Sequence, residues 1–310
     1  MPPWALEEML SEEVMALHQL KKELVENRFG KFGGTSRLVL RRDKEWAEND
    51  MKRLNEALAS AYALQSLKVS DLKAISKTTH LLVKMQPKSG FRSFDVQLSS
   101  PYVQQQLVQK NWAERREALW DRIADGMVTG IGHDLFEEAF HQFNLDKAIG
   151  NFSLRARRLT ENTEKNEADA KKAFQGGLNV VLISGNAPPN IKDGEYYQHK
   201  SKTFPAIDSW TSEGVFQTTI ATSHAITFRE AVGAKKQPVK LNNTLVYRVV
   251  EALGEKEGDG KAKFFFVVPQ QQFDKVWTDM QPVKQSEMAD KIEQWVVCFE
   301  KNLPDSGRKS

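Results

Sequence analysis

Apolar positions recur at helical spacing through residues 4–27, where Leu6, Leu10, Val14, Leu17, Leu20 and Leu24 are separated by polar and charged residues. That period predicts an amphipathic helix ending near Arg28-Phe29-Gly30. Gly30, Gly33 and Gly34 then read as a tight turn feeding a short packed run, RLVL. A second helix is predicted over 44–67, with Trp46, Met51, Leu54, Leu58, Ala61 and Leu64 on its apolar side. Two strand-like runs, 80–85 and 94–98, flank a Pro-Lys-Ser-Gly turn signal. Residues 101–125 open with Pro101 at a first helical position and continue as a long polar helix. Helices with one small hairpin suggest a winged-helix-like region over 1–127. The glycine cluster Gly126 to Gly132 marks the domain boundary.

Beyond it, a helix is predicted over 133–149, with Leu135, Phe136, Ala139, Phe140 and Phe143 on one side. Strands are predicted at 152–159 and 179–183, with a charged loop or helix at 160–175 between them. A hairpin follows. Thr203-Phe204-Pro205-Ala206-Ile207 leads to Asp208, Ser212-Glu213-Gly214 turns the chain, and Val215 to Ala221 returns. Alternation along the return strand puts Gln217 and Thr219 on one face. A helix at 241–253 precedes Phe264-Phe265-Phe266-Val267-Val268, the most continuous apolar run, which reads as an interior strand covered on both faces. A helix at 270–277 and a strand at 295–299 complete the pattern. The fold class expected is α+β, with a mixed sheet flanked by helices over 128–303 and a disordered tail at 304–310.

Composition supports a globular reading: 40% of the 310 residues are hydrophobic and 27% charged, enough chain for two cores. No apolar run reaches the roughly 18 residues of a membrane span. The start, MPPWALEEMLSEEV, lacks the basic-then-apolar order of a secretory signal. Cys298 is the only cysteine and reads as a small buried hydrophobe. The net charge of +3 is too mild to imply nucleic acid by itself. Basic residues nevertheless gather in the C-terminal half, at Arg155, Arg157, Arg158, Lys171, Lys172, Lys200, Lys202, Lys235, Lys236, Lys240, Lys261 and Lys263.

The candidate chemistry centres on the hairpin. A carboxylate at one strand end, facing polar side chains at i and i+2 on its partner, can hold a divalent cation, because hard cations take oxygen ligands. Asp208, Gln217 and a helix acid, Glu137 or Glu138, form that set, with Thr219 beside them and Lys200 or Lys202 across the hairpin. The bound metal would polarise a phosphodiester and activate water. The same residues also fit a turn-capping Asp and two polar positions on a half-exposed strand. His141, four residues after Glu137 on one helix face, fits either an acid/base pairing or a surface hydrogen bond. Ser209, His224 and Asp208 could form a triad on paper, but no nucleophile elbow is present.

Eight segments in register carry a resemblance: RFGKFGGTSRLVL, SKTTHLLVKM, FDVQLSSPYVQQQL, GHDLFEEAFHQF, NFSLRAR, YYQHKSKTFPAIDSW, GVFQTTIATSHAI and KFFFVVPQQQF. In that order they resemble the Crinkler effectors of oomycetes and fungi, and the related retrotransposon-hot-spot proteins of trypanosomes. The resemblance implies a C-terminal restriction-endonuclease-like domain of the PD-(D/E)xK superfamily, preceded by the remnant of an NTPase module whose Walker motif is absent here. Carried over by position, Glu137, Asp208 and Gln217 would hold Mg²⁺. Thr219 and Lys202 would stand near the scissile phosphate, and Lys200, Lys202, Arg155 and Arg157 would contact nucleic acid. The strand pair is Gln-x-Thr where the family pattern has Glu-x-Lys. The function implied is Mg²⁺-dependent phosphodiester hydrolysis, on DNA in preference to RNA, by an effector secreted into a host cell and acting in its nucleus. The alternative is an inactive nuclease fold that binds host DNA or a host nuclear protein.

Overall fold

The computed structural model describes residues 3–61, 79–87, 94–114, 116–126, 130–160, 169–184, 190–199, 207–223, 226, 244–258, 260–284 and 286–301. By its internal contacts the chain divides into two units, 1–139 and 140–310. The division falls inside a helix, C-terminal to the glycine cluster.

In the first unit the single helix expected over 4–27 is three: α1 (Leu6–Met9), α2 (Glu12–His18) and α3 (Lys22–Phe32). Local chemistry makes the breaks. The Ser11 hydroxyl caps α2 by accepting from the Val14 N–H, and Gln19 closes it in the left-handed region at φ 52°. Arg28, Phe29 and Gly30 lie within α3, and the helix ends instead at Gly33, at φ 59°. A Cβ on Gly33 would stand 1.9 Å from the Ser99 carbonyl oxygen, so no other residue fits this turn. The buried Arg28 side chain donates to the carbonyls of Val39 and Arg41, tying α3 to the segment after α4 (Ser36–Val39).

Helix α5 (Lys44–Ala61) follows, as predicted within the described residues. The run at 80–85 is half helix, α6 (Thr79–Leu82), and half strand, β1 (Val83–Pro87). β1 pairs antiparallel with β2 (Phe94–Leu98). The predicted helix over 101–125 is assigned as α7 (Pro101–Glu114) and α8 (Arg116–Gly126). Next comes α9 (Gly130–Leu145), whose Phe136 meets Trp120 edge-on at 6.4 Å.

The second unit holds an eight-stranded mixed sheet flanked by helices, in the order β4-β3-β10-β9-β8-β7-β6-β5. The strands are β3 (Phe152–Arg158), β4 (Ala170–Phe174), β5 (Asn179–Ile183), β6 (Glu195–His199), β7 (Ser209–Thr211), β8 (Gly214–Thr218), β9 (Ala262–Pro269) and β10 (Ile292–Phe299). β9 lies parallel between β8 and β10, and β10 pairs antiparallel with β3. β4 and β6 were not expected as strands.

Phe264 to Val268 are fully buried, as an interior strand requires. Phe264, Phe266 and Val268 pack with Leu245, Val246, Val249 and Val250 of α10 (Leu245–Glu257), and with Phe273 of α11 (Gln270–Lys275). On the opposite face Phe265 stacks on Phe216 at 5.1 Å and meets Phe174 edge-on at 5.4 Å. Phe140 and Phe143, from the last turns of α9, meet Phe216, Phe152 and Phe299. A short helix, α12 (Ser286–Ala289), precedes β10. Among the described residues no helix is long and apolar enough to cross a membrane.

Gly214, where β8 leaves the hairpin turn, sits at φ 150°, and a Cβ there would approach the Lys263 carbonyl oxygen to 2.5 Å. Gly214→Ala therefore forces β8 away from β9 and is expected to cost about 1–3 kcal/mol. A lowered urea midpoint with unchanged slope checks this.

Candidate functional site

The hairpin forms, one step later along the chain than its composition suggests. Its first strand is Ser209–Thr211, and Thr203 to Ala206 lie outside the described residues. Ser212 and Glu213 alone make the turn, with Thr211 opposite Gly214, Trp210 opposite Val215 and Ser209 opposite Phe216. The Glu213 N–H donates to the Thr211 hydroxyl at 3.1 Å, supporting so short a loop. Burial, ahead of the Gln175 N–H and the Lys172 and Lys263 charges that oppose it, holds the Glu213 carboxyl above its ordinary range. With the folded value raised, Glu213 favours the fold at acidic pH and loses that contribution as pH rises through its folded value.

This register brings Asp208 level with Gln217, and the Asp208 N–H donates to the Phe216 carbonyl at 2.9 Å. Three groups then donate to the Asp208 carboxylate. The Thr218 N–H reaches Oδ2 at 2.6 Å, the Thr218 hydroxyl reaches the same oxygen at 2.5 Å, and Gln217 Nε2 lies 3.2 and 3.3 Å from the two oxygens. Gln217 is 7% exposed and Thr218 fully buried. The other amide atom, Gln217 Oε1, is buried with no hydrogen-bond partner among the described residues. Asp208 and Gln217 thus meet as predicted, but through the Gln217 amide nitrogen.

Thr219 does not join them through any recorded contact: its N–H donates to the Val267 carbonyl and its hydroxyl accepts from the Ala221 N–H at 3.1 Å. Thr218 is the residue that sequence reasoning missed. Counting back from a two-residue turn would have paired Asp208 with Gln217 and left the next N–H, that of Thr218, within reach of the carboxylate.

Glu137 belongs to the first unit, where its Oε2 lies 3.9 Å from His133 Nδ1. His141, in the second unit, is buried and bonds through Nδ1 to the Tyr196 hydroxyl at 2.7 Å; that hydroxyl also meets Ser209 Oγ at 2.7 Å. The side chain expected to pair with Glu137 is built into the core. Lys200, Lys202 and His224 lie outside the described residues.

The two arginines expected at a phosphate are in ion pairs. Arg155 reaches Asp274 at 3.2 Å and Glu300 at 3.8 Å, and Arg157 holds Asp169 at 2.7 Å. Both guanidiniums lie over the Phe273 ring. Arg158 pairs with Glu293 at 2.7 Å. Lys172 stands 4.3 Å from the Trp295 ring centroid; burial, then the charge of Lys263, lowers its ammonium below the usual range. Among the described residues no three of His, Cys, Asp and Glu gather closely enough to hold a metal ion.

Comparison with known proteins returned no matching family model, no matching curated protein and no matching solved structure.

Two outcomes follow from this geometry. Asp208→Ala leaves the buried donors of Thr218 and Gln217 without their acceptor, and is expected to lower stability by about 1–3 kcal/mol in urea denaturation. Cys298 is 1% exposed, and burial, followed by the charge of Glu300, pushes its thiol to about 12 despite the Arg155 Nη2 that donates to it. Ellman's reagent at pH 8 should therefore leave the folded protein unlabelled and react with one thiol only after denaturation.

Proposed function

We propose that residues 140–310 form a nuclease-like module of the Crinkler type that works by binding nucleic acid rather than by cleaving it. The observation that carries this reading is the occupied carboxylate of Asp208, which accepts from the Thr218 N–H, the Thr218 hydroxyl and the Gln217 amide. A carboxylate serving Mg²⁺ turns its lone pairs toward the cation. Here they are turned toward donors of the same hairpin, and the contact latches β8 to the residue preceding β7.

The donor set fits Mg²⁺ poorly. Gln217 directs Nε2 at the carboxylate, and turning the amide over would set Oε1 against it, acceptor facing acceptor. The partner at i+2, Thr219, brings a hydroxyl already used at Ala221 and no ammonium to orient a nucleophile. DNA is the favoured ligand over RNA on the strength of the eight-segment resemblance and the basic excess of the C-terminal half. With Arg155 and Arg157 held in ion pairs, lysines such as Lys171 are the better candidates for phosphate contact.

The test uses the purified full chain and Asp208→Ala, each incubated with supercoiled plasmid and with RNA in Mg²⁺ or Mn²⁺. Neither substrate is expected to be cut. Fluorescence anisotropy on a labelled duplex should show binding that weakens as salt rises from 50 to 200 mM, the signature of counterion release. Metal-dependent nicking by the wild type that disappears in the variant would overturn the non-hydrolytic reading. Absence of binding to duplex, single-stranded DNA and RNA at low salt would overturn nucleic acid as the ligand and leave a host protein in its place.

A further inference from the structure

In the first unit a cavity of about 140 Å³ is lined by Arg37, Leu38, Arg41, Asp50, Arg53 and His80. At about 30 Å³ per water this is the room of roughly four or five water molecules, enough for one tetrahedral oxyanion. Three guanidiniums share the wall with one carboxylate, so two positive charges are uncompensated within it.

Asp50 is 2% exposed and organises two of the arginines: Arg41 Nε lies 3.4 Å from its Oδ2, and Arg53 Nη1 lies 3.6 Å from its Oδ1. Both separations are ion-pair contacts rather than hydrogen bonds, and buried Oδ2 has no hydrogen-bond donor among the described residues. Arg41 is further fixed by the Trp46 ring, 5.2 Å beneath it. Arg37 is exposed and has no acidic partner among the described residues. Burial, then the charges of Arg37 and Arg53, lower the His80 imidazole below its ordinary value, leaving the guanidiniums to carry the charge at neutral pH.

The geometry points to a binding site for free hydrogen phosphate. Two features of the wall select it together. The guanidinium forks of Arg37, Arg41 and Arg53 supply donors in the arrangement that matches a tetrahedral oxyanion. The orphan Oδ2 of Asp50 needs a donor, and only an anion that keeps a proton can supply one. Hydrogen phosphate keeps a P–OH at neutral pH. Sulfate, of the same shape and charge, has none, and a phosphomonoester has largely lost its own by pH 7.5, its second pKa lying near 6. A phosphodiester backbone carries no such proton at all. The cavity therefore discriminates by protonation state, because an anion without a proton leaves two acceptors facing each other in a buried place. This inference is independent of the hairpin in the second unit.

Isothermal titration of the full chain at pH 7.5 tests it, with inorganic phosphate, sulfate and glycerol 3-phosphate as probes. Phosphate should bind at least about tenfold more tightly than either of the others. Phosphate and sulfate raise thermal stability alike as excluded salts, so each controls for the other. Arg37→Gln, an exposed position where folding is not at stake, should weaken phosphate binding at least about fivefold. Asp50→Asn puts a donor where the acceptor stood, and should bring the phosphate-to-sulfate ratio down toward one or below it. Equal affinity for phosphate and sulfate in the wild type overturns the proposal, as does an Arg37→Gln variant that binds phosphate unchanged. Glycerol 3-phosphate binding as tightly as phosphate at pH 7.5 overturns the assignment to the free ion.

Discussion

The burial of β9 on both faces is the constraint on which the second unit depends. Phe264, Phe266 and Val268 face α10 and α11, while Phe265 faces the aromatic cluster of Phe140, Phe143, Phe174 and Phe216. A strand with no solvent face cannot slip by one residue, because every large side chain would exchange one core for the other. Its register with β8 is therefore held by packing: Val215 lies level with Phe264 and Gln217 with Phe266. The position of Gln217, and through it the pairing with Asp208, follows from that lock. Hydrogen bonds at the hairpin tip refine a geometry that the phenylalanines have already set.

Seen from that core, the Asp208 cluster is a structural element as much as a chemical one. Thr218 is buried, and its N–H and hydroxyl both need acceptors once water is excluded. Asp208 supplies one oxygen to both, and Gln217 closes the arrangement from the side. A carboxylate with these obligations resists recruitment by a cation, since each donor it released would be left buried and unpaired. An unbroken core can in this way outlast the chemistry that a hairpin of this shape is able to support.

How much of this was legible depended on whether the cause was local. β9 and α10 could be read directly, because Phe264 to Val268 form an unbroken apolar run and Val246, Val249, Val250 and Leu253 fall at helical spacing. β6 could not: Glu195-Tyr196-Tyr197-Gln198-His199 is polar at both ends, and its strand character comes from pairing with β5 and β7. β4, Ala170 to Phe174, is mostly exposed and held by its register with β3. In the first unit the divisions among α1, α2 and α3 rest on Ser11 and the left-handed Gln19, which a hydrophobic period passes over. For the site, alternation correctly placed Gln217 level with Asp208, yet chose Thr219 as its companion. Asp208 lies just outside β7, so its carboxylate reaches the adjacent backbone N–H, a contact to which the two-residue period is blind.

The sheet order also bears on how the chain is made. β10, among the last residues to leave the ribosome, does not sit at the rim; it fills the gap between β3 and β9. Until Ile292 to Phe299 arrive, β3 with β4 and the block from β9 to β5 have no strand to join them. The middle of the sheet must therefore be zipped post-translationally, by contacts spanning well over a hundred residues, and topology of that kind slows folding. Shortening the chain from its C-terminal end would remove a keystone rather than a fringe.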